Sequence, residues 1–198
     1  MKHPFRCRCG TLQGELDGTG SAVRAVCYCR DCQAYARALG TDGVTDRAGG
    51  TEVVATLPAR VRFTAGLDRL ACLSLSPNGL LRWYASCCST PIANTPRNPK
   101  VAYVGIVHTF LAGDSASREN AFGPLRVRVN TAAARNPVRG TPMRSLAAIF
   151  RLASSAAVAR SSGGWRRNPF FLKGTSTPVR EVRVLSEDAR ARAYEGLT

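Results

Sequence analysis

Short apolar runs dominate the middle of the chain and predict a β-sheet. They are rich in Val, Ile, Phe, Tyr and Trp, and Pro, Gly and Asn separate them, as is typical of strands joined by turns. The sequence SPNGL at residues 76–80 contains an Asn-Gly pair, which favours a tight hairpin turn. The strands predicted in this way span residues 51–57, 59–66, 69–76, 79–86, 100–108 and 125–131.

The segment before these runs has a mixed pattern. Residues 10–26 alternate and contain glycine, which predicts a short hairpin. Residues 32–40 predict one or two helical turns that end at Gly40.

The pattern changes again after about residue 136. A helix is predicted over about residues 142–160, ended by Ser-Gly-Gly, and a short strand and a charged terminal helix follow it. We therefore predict a mainly β protein. Antiparallel sheets occupy residues 1–135, and a helix-containing extension, residues 136–198, packs on them.

The length and charge narrow the class of protein. A chain of 198 residues fits one domain with an appendage, and no apolar stretch approaches the ~20 residues that span a bilayer. The N-terminus lacks the apolar segment of a secretory signal, which predicts a cytoplasmic protein with reduced thiols. The formal charge is +15, from 25 Arg and 3 Lys. These arginines are scattered along the chain, which disfavours a dedicated nucleic-acid surface.

Seven of the eight cysteines fall into three tight groups. An extracellular disulfide framework rarely places cysteines one residue apart, so this clustering favours metal binding. Cys72, in LACLSL, stands apart and is predicted to be a small buried hydrophobic residue. The three groups are Cys7 and Cys9, then Cys27, Cys29 and Cys32, then Cys87 and Cys88.

The middle group has the spacing of a metal site. In an extended C-x-C segment both sulfurs lie on one face, and a C-x-x-C turn also brings two sulfurs together. Cys27, Cys29 and Cys32 combine both spacings. Three protein ligands leave one position of a tetrahedral zinc ion open, which is typical of catalytic sites. Iron–sulfur clusters use other spacings, so zinc is favoured. Because seven thiols exceed the capacity of one tetrahedral ion, two zinc ions per chain are predicted.

The order and spacing of CRCG, CYCRDC and RWYASCCSTPI resemble the glutathione-dependent formaldehyde-activating enzyme family, which includes centromere protein V. The likeness extends over roughly residues 5–110. The adjacent cysteines are similar to a bacterial branch of that superfamily without an assigned function. The resemblance implies an Mss4-like fold, in which antiparallel sheets surround zinc knuckles. It also implies a carbon–sulfur lyase that acts on a thiol adduct of a small aldehyde, with glutathione as a candidate thiol.

The resemblance also implies roles for individual cysteines. It assigns Cys7, Cys9 and Cys88 to a structural zinc, and it gives Cys27, Cys29 and Cys32 to a second, catalytic zinc. The family's remaining structural cysteine falls at Ala85, and its usual histidine falls at Tyr28.

Cys87 is left with two candidate roles. If the chain turns at residues 87–89, as Ser89-Thr90-Pro91 permits, its sulfur meets the structural zinc together with Cys88. If the chain stays extended, Cys87 points to the other face and reaches the second metal. The first arrangement is favoured, with Cys87 replacing the thiol that is missing at Ala85.

Three functions fit this sequence. The first is a zinc-dependent carbon–sulfur lyase, in which Arg24, Arg30 and Arg37 are candidates to offset the thiolate charge. The second is a non-enzymatic zinc module that binds a protein or a nucleic acid. The third is a metal or redox sensor that uses Cys87 and Cys88. An open position at the middle cysteine group that faces a cleft would favour the lyase, and closure of that position by Cys87 would disfavour it.

Overall fold

The computed structural model describes residues 2–17, 22–141, 143 and 146–197, and within them the chain forms two β-sheets and four α-helices. The strands are β1 (Lys2–Arg6), β2 (Gln13–Asp17), β3 (Val23–Cys27), β4 (Thr51–Thr56), β5 (Val61–Ala65), β6 (Leu70–Ser74), β7 (Leu81–Ala85), β8 (Thr90–Thr95), β9 (Val104–Val107), β10 (Val127–Val129) and β11 (Val182–Val184). The helices are α1 (Arg30–Leu39), α2 (Ser115–Phe122), α3 (Leu146–Ser161) and α4 (Glu187–Tyr194).

The larger sheet contains eight strands in the order β10-β3-β4-β9-β8-β7-β6-β11. Its six inner strands pair antiparallel, whereas β10 runs parallel to β3 and β11 runs parallel to β6 at the two edges. The smaller sheet joins β1, β2 and β5 in antiparallel order. The sheets form the centre of the molecule as predicted, but the four helices make it a mixed α and β protein.

All six strands predicted from the central apolar runs are present, each somewhat shorter than its run. The hairpin predicted over residues 10–26 is wrong, because β2 pairs with β1 and β5 while β3 pairs with β4 and β10. The close approach of β2 to the core explains why residue 14 is a glycine. A Cβ atom there would lie only 2.3 Å from the ring of Phe5.

The main hydrophobic core lies between the two sheets. On β7, Leu81, Trp83 and Ala85 alternate toward this core and are fully buried, as the two-residue period of a strand requires. Phe5 of β1 and Leu16 of β2 face them from the smaller sheet.

The opposite face of the larger sheet is covered by helices. Ala148 and Leu152, one turn apart on α3, pack against side chains of β3 and β4. Tyr35 of α1 and Ala193 of α4 share a second cluster with Leu73 of β6. Helix α1 begins at Arg30, three residues after the end of β3, so its N-terminus lies beside the cysteines of the middle group.

The C-terminal segment contributes to the main core. Phe170 is fully buried and lies 5.0 Å from Trp83 between ring centroids. The start of the helix predicted over residues 142–160 includes positions 142, 144 and 145, which lie outside the described residues. The division into residues 1–135 and 136–198 stays a prediction. Among the described residues, no helix has the length and apolar character to cross a bilayer.

Candidate metal centres

The first candidate centre is a four-cysteine cluster formed by Cys7, Cys9, Cys87 and Cys88. Cys7 follows β1 and begins a tight turn, in which the Gly10 N–H donates to the Cys7 carbonyl at 2.9 Å. The Leu12 N–H donates to the Cys7 sulfur at 3.3 Å. This turn therefore gives Cys7 the backbone donor that a metal-binding thiolate commonly receives.

The other half of the four-cysteine cluster is the turn between β7 and β8. Ser89 adopts a left-handed conformation with φ of 54°, so the chain turns at residues 87–89 rather than staying extended. Arg8 ties the two halves together. Its N–H donates to Thr90 Oγ1 at 3.0 Å, and its guanidinium donates to the Cys88 carbonyl at 2.9 Å.

The spacing of these four sulfurs fits a metal ion. Their separations include 3.5 Å for Cys7 and Cys9, 3.3 Å for Cys9 and Cys87, and 3.9 Å for Cys87 and Cys88. A tetrahedral zinc ion with Zn–S bonds of about 2.3 Å needs sulfurs about 3.8 Å apart. The structure thus brings Cys87 to the first cluster beside Cys88, and not to the middle group.

Hydrogen bonds favour a thiolate in this cluster. Hydrogen bonding with the side chain and backbone of Thr11, then with Cys87, lowers the pKa of Cys9 to about 6. Burial, followed by contact with Cys9 and Cys7, raises the pKa of Cys87 to about 12. Within the cluster, these contacts therefore favour a thiolate at Cys9 over one at Cys87.

The second candidate centre is a three-cysteine cluster formed by Cys27, Cys29 and Cys32. Cys27 ends β3, and Cys29 caps the N-terminus of α1, where its sulfur accepts the Cys32 N–H at 3.4 Å. All three sulfurs lie within 4.8 Å of one another, close enough for one ion. The positive end of a helix dipole also favours thiolates at this position.

Two further side chains contact the sulfurs of the three-cysteine cluster. Asn130 Nδ2 donates to Cys27 at 3.3 Å, and Arg82 Nη1 lies 3.9 Å from the Cys32 sulfur. Hydrogen bonding with Cys29, then with Cys32, lowers the pKa of Cys27, and hydrogen bonding with Cys27 raises the pKa of Cys32. These contacts therefore favour a thiolate at Cys27 over one at Cys32.

Arg82 is almost fully buried and is fixed on every side. Its guanidinium contacts Asp31 at 3.5 Å, donates to Asn94 Oδ1 at 3.2 Å and lies 5.3 Å from the ring centroid of Tyr35. Tyr194 of α4 in turn donates to Asp31 at 2.6 Å. Asp31 is thereby held as a partner of Arg82 rather than as a free base.

The arginines that were candidates to offset thiolate charge have other partners. Arg24 pairs with Glu52 at 2.8 Å, Arg30 lies over the ring of Tyr194, and Arg37 donates to a backbone carbonyl just after α4. Sequence reasoning missed Arg82. In the sequence, Arg82 stands out only as a charged residue inside the apolar run LLRWYA. The sequence does not reveal which side chains surround it in the fold.

Tyr28, Cys72 and the two histidines of the chain lie outside both clusters. His108 Nδ1 hydrogen-bonds with the Glu52 carbonyl at 3.2 Å, and the Tyr28 hydroxyl donates to Asp46 at 3.3 Å. Cys72 is buried in the main core as predicted, and burial raises its pKa to about 12. Among the described residues, neither histidine joins a candidate metal cluster.

A cavity of about 360 Å³ lies beside the three-cysteine cluster. Its walls are formed by the three thiols, by apolar side chains of β3, β4, β10 and α3, and by a few polar groups. The polar groups include Arg82, Asn94, Tyr103 and Asn130. Burial raises the pKa of Tyr103 to about 12, so its hydroxyl stays protonated at neutral pH.

One of the comparisons with known proteins shows the family of this chain, and none shows an activity. Residues 2–181 match the model of a family of unknown function, DUF6151, and the chain belongs to that family. None of the curated proteins compared with the chain matches it. One similar solved structure is a crystal structure of a Rhodobacter sphaeroides protein, a structural genomics target. It is 21% identical with a TM-score of 0.39, over 59% of this chain and 93% of that chain.

Proposed function

We propose that the protein binds two zinc ions, and that the ion at the three-cysteine cluster serves a carbon–sulfur lyase acting on a thiol adduct of a small aldehyde. The observation that carries this proposal is the cavity beside Cys27, Cys29 and Cys32. Because Cys87 lies in the other cluster, no fourth cysteine closes this site among the described residues.

The two clusters suit different tasks. Four thiolates complete the tetrahedral shell of a structural zinc, whereas three leave a position for substrate. Three thiolates and a divalent ion also carry one net negative charge. This makes the site a poor activator of water but a suitable partner for a soft sulfur ligand. We therefore expect no esterase or peptidase activity.

The sequence resemblance to the glutathione-dependent formaldehyde-activating enzymes supports this reaction type and an Mss4-like fold. In such an adduct, the carbon that bears a hydroxyl is bonded to sulfur. When the carbon–sulfur bond breaks, sulfur keeps the electron pair, the hydroxyl proton passes to water, and the carbonyl of the aldehyde forms. Zinc, when bound, would lower the pKa of the departing thiol.

Three residues of the cavity have the chemistry to assist. Tyr103, protonated at neutral pH, can donate a hydrogen bond to the adduct's oxygen. Asn130 and Arg82, which contact Cys27 and Cys32, hold the cluster's thiolates in place and partly balance their charge.

The test measures the breakdown of formaldehyde–thiol adducts by NMR exchange spectroscopy. Adducts of glutathione and of butanethiol are compared with zinc-loaded wild type and with Cys29→Ser, which leaves the four-cysteine cluster intact. We expect wild type to accelerate the breakdown of at least one adduct more than Cys29→Ser does. Equal rates with both proteins for both adducts would overturn the lyase and leave a non-enzymatic zinc module as the better account.

A further inference from the structure

We infer that the three-cysteine site takes a thiol or thiol adduct with an uncharged hydrocarbon substituent, and not glutathione. This inference rests on the proposed function and names its class of substrate. It depends on the shape and chemistry of the cavity floor, which the strand register defines.

The floor of the cavity is an apolar surface that begins at the cluster and runs along β3. Val23, Ala25 and Cys27 alternate onto one face of the strand, and all three line the cavity. From Cys27 to Val23 the strand rises about 13 Å, at about 3.3 Å per residue. A ligand bonded at the sulfurs therefore has an apolar path of that length beside it.

The neighbouring strands widen this floor without adding charge. On β4, Val53 is the partner of Ala25, and Ala55 is the partner of Val23. On β10, Val127 is opposite Ala25. All of these side chains line the cavity, so the floor is three strands wide and aliphatic.

Helix α3 covers the floor with apolar side chains as well. Ile149 and Leu152 line the cavity from this side, and Leu152 packs with the residues of the floor. A hydrocarbon chain enclosed here gains roughly fourfold in affinity for each buried methylene group.

The charged groups of the cavity are already paired. Apart from the thiols of the cluster itself, Asp31 and Arg82 are the only ionisable acid and base among the described lining residues, and they contact each other at 3.5 Å. Glutathione brings two carboxylates and an ammonium group. Burying them without partners is costly, because an unpaired charge loses its hydration.

The experiment titrates cobalt-substituted protein with ethanethiol, butanethiol, hexanethiol and glutathione, and follows the cobalt absorption bands. We expect affinity to rise about fourfold per methylene, so that hexanethiol binds roughly two-hundredfold more tightly than ethanethiol, with glutathione weakest. Glutathione that binds as tightly as hexanethiol would overturn this inference and leave the lyase proposal standing. No spectral change with any thiol would overturn both.

A matched pair of variants tests the cavity itself. Ile149→Glu places a carboxylate at the cavity, whereas Phe150→Glu places it on the neighbouring, largely exposed position of the same helix. We expect the first to weaken hexanethiol binding at least about tenfold and the second to leave it unchanged. Equal affinities for both variants would mean that the hydrocarbon chain does not occupy the cavity, and would overturn the inference.

Discussion

The adjacent cysteines are accommodated by a single left-handed residue. Ser89, with φ of 54°, turns the chain so that Cys87 and Cys88 both face the turn at Cys7. The two thiols differ in environment, however. Cys88 is half-buried against the main core and receives a contact from Thr90 at 3.0 Å, whereas Cys87 is exposed.

Replacing Cys87 and replacing Cys88 should therefore lower the thermal stability by different amounts. Cys88→Ala removes a sulfur and a packed side chain, so we expect a larger loss of thermal stability than for Cys87→Ala, which removes an exposed sulfur alone. Thermal unfolding of the zinc-loaded variants measures the difference. A Cys87 variant that is the less stable of the two would contradict the packing argument.

Arg82 is a buried cation that contacts the three-cysteine cluster, with its Nη1 atom 3.9 Å from the Cys32 sulfur. Two unit charges 4 Å apart interact by about 4 kcal/mol at an effective dielectric of about 20, and the charge on a metal-bound thiolate is more spread out. We expect Arg82→Met to weaken zinc binding at this cluster by at least about tenfold.

Chelator competition measures this affinity for each of the two ions. Arg183→Met serves as the control, because it removes the same charge from an exposed position on β11. The control should leave both affinities unchanged. An Arg82 variant with unchanged affinities would show that the guanidinium only fills space.

The elements that the sequence predicts well are those in which local pattern and tertiary role agree. The strands of the central runs are apolar and buried, and α1 ends at Gly40 in the left-handed conformation that glycine favours. Strands β1 and β8 were not predicted, and each contains a proline, Pro4 and Pro91, a residue that is rare within strands. The pairing of β10 and β11 at the sheet edges joins distant residues, which no local pattern reveals.

The C-terminal segment is predicted to be an integral part of the fold. Phe170 is fully buried between Trp83 and Phe63, and a Phe→Ala change in such a site costs roughly 3–5 kcal/mol. Phe150→Ala, at an exposed position of α3, should change stability by less than about 0.5 kcal/mol.

Urea unfolding of Phe170→Ala and Phe150→Ala measures both effects. If the Phe170 variant were as stable as wild type, the segment would not share the core of the two sheets.

At the scale of the whole molecule, the candidate site could be predicted only in part from the sequence. The three cysteine groups are visible in the sequence because metal ligands cluster along the chain. The cavity could not be predicted, because it forms where β3 meets β10 and α3, which lie about a hundred residues or more further along the chain. The same distance hides Arg82 and Asn130, whose roles depend on the side chains that the fold places next to them.

Both cysteine clusters lie at the ends of strands, but one connects segments that are distant along the chain and the other connects consecutive elements. The four-cysteine cluster joins the β7–β8 turn to the end of β1, across nearly eighty residues, while the three-cysteine cluster joins β3 to α1. Binding at the first should therefore support the fold, because the site exists only when distant segments meet. Binding at the second would be local, and three cysteines would leave one tetrahedral position for a ligand.

The most direct test of two separate centres is the zinc content of three proteins purified without chelator. Elemental analysis should give about two ions per chain for wild type, and about one each for Cys9→Ser and Cys29→Ser. Cys9→Ser should also melt at a lower temperature than Cys29→Ser, because it loses the ion that joins distant segments. A wild-type ratio near one would contradict the account, since the seven clustered thiols would then not form two centres.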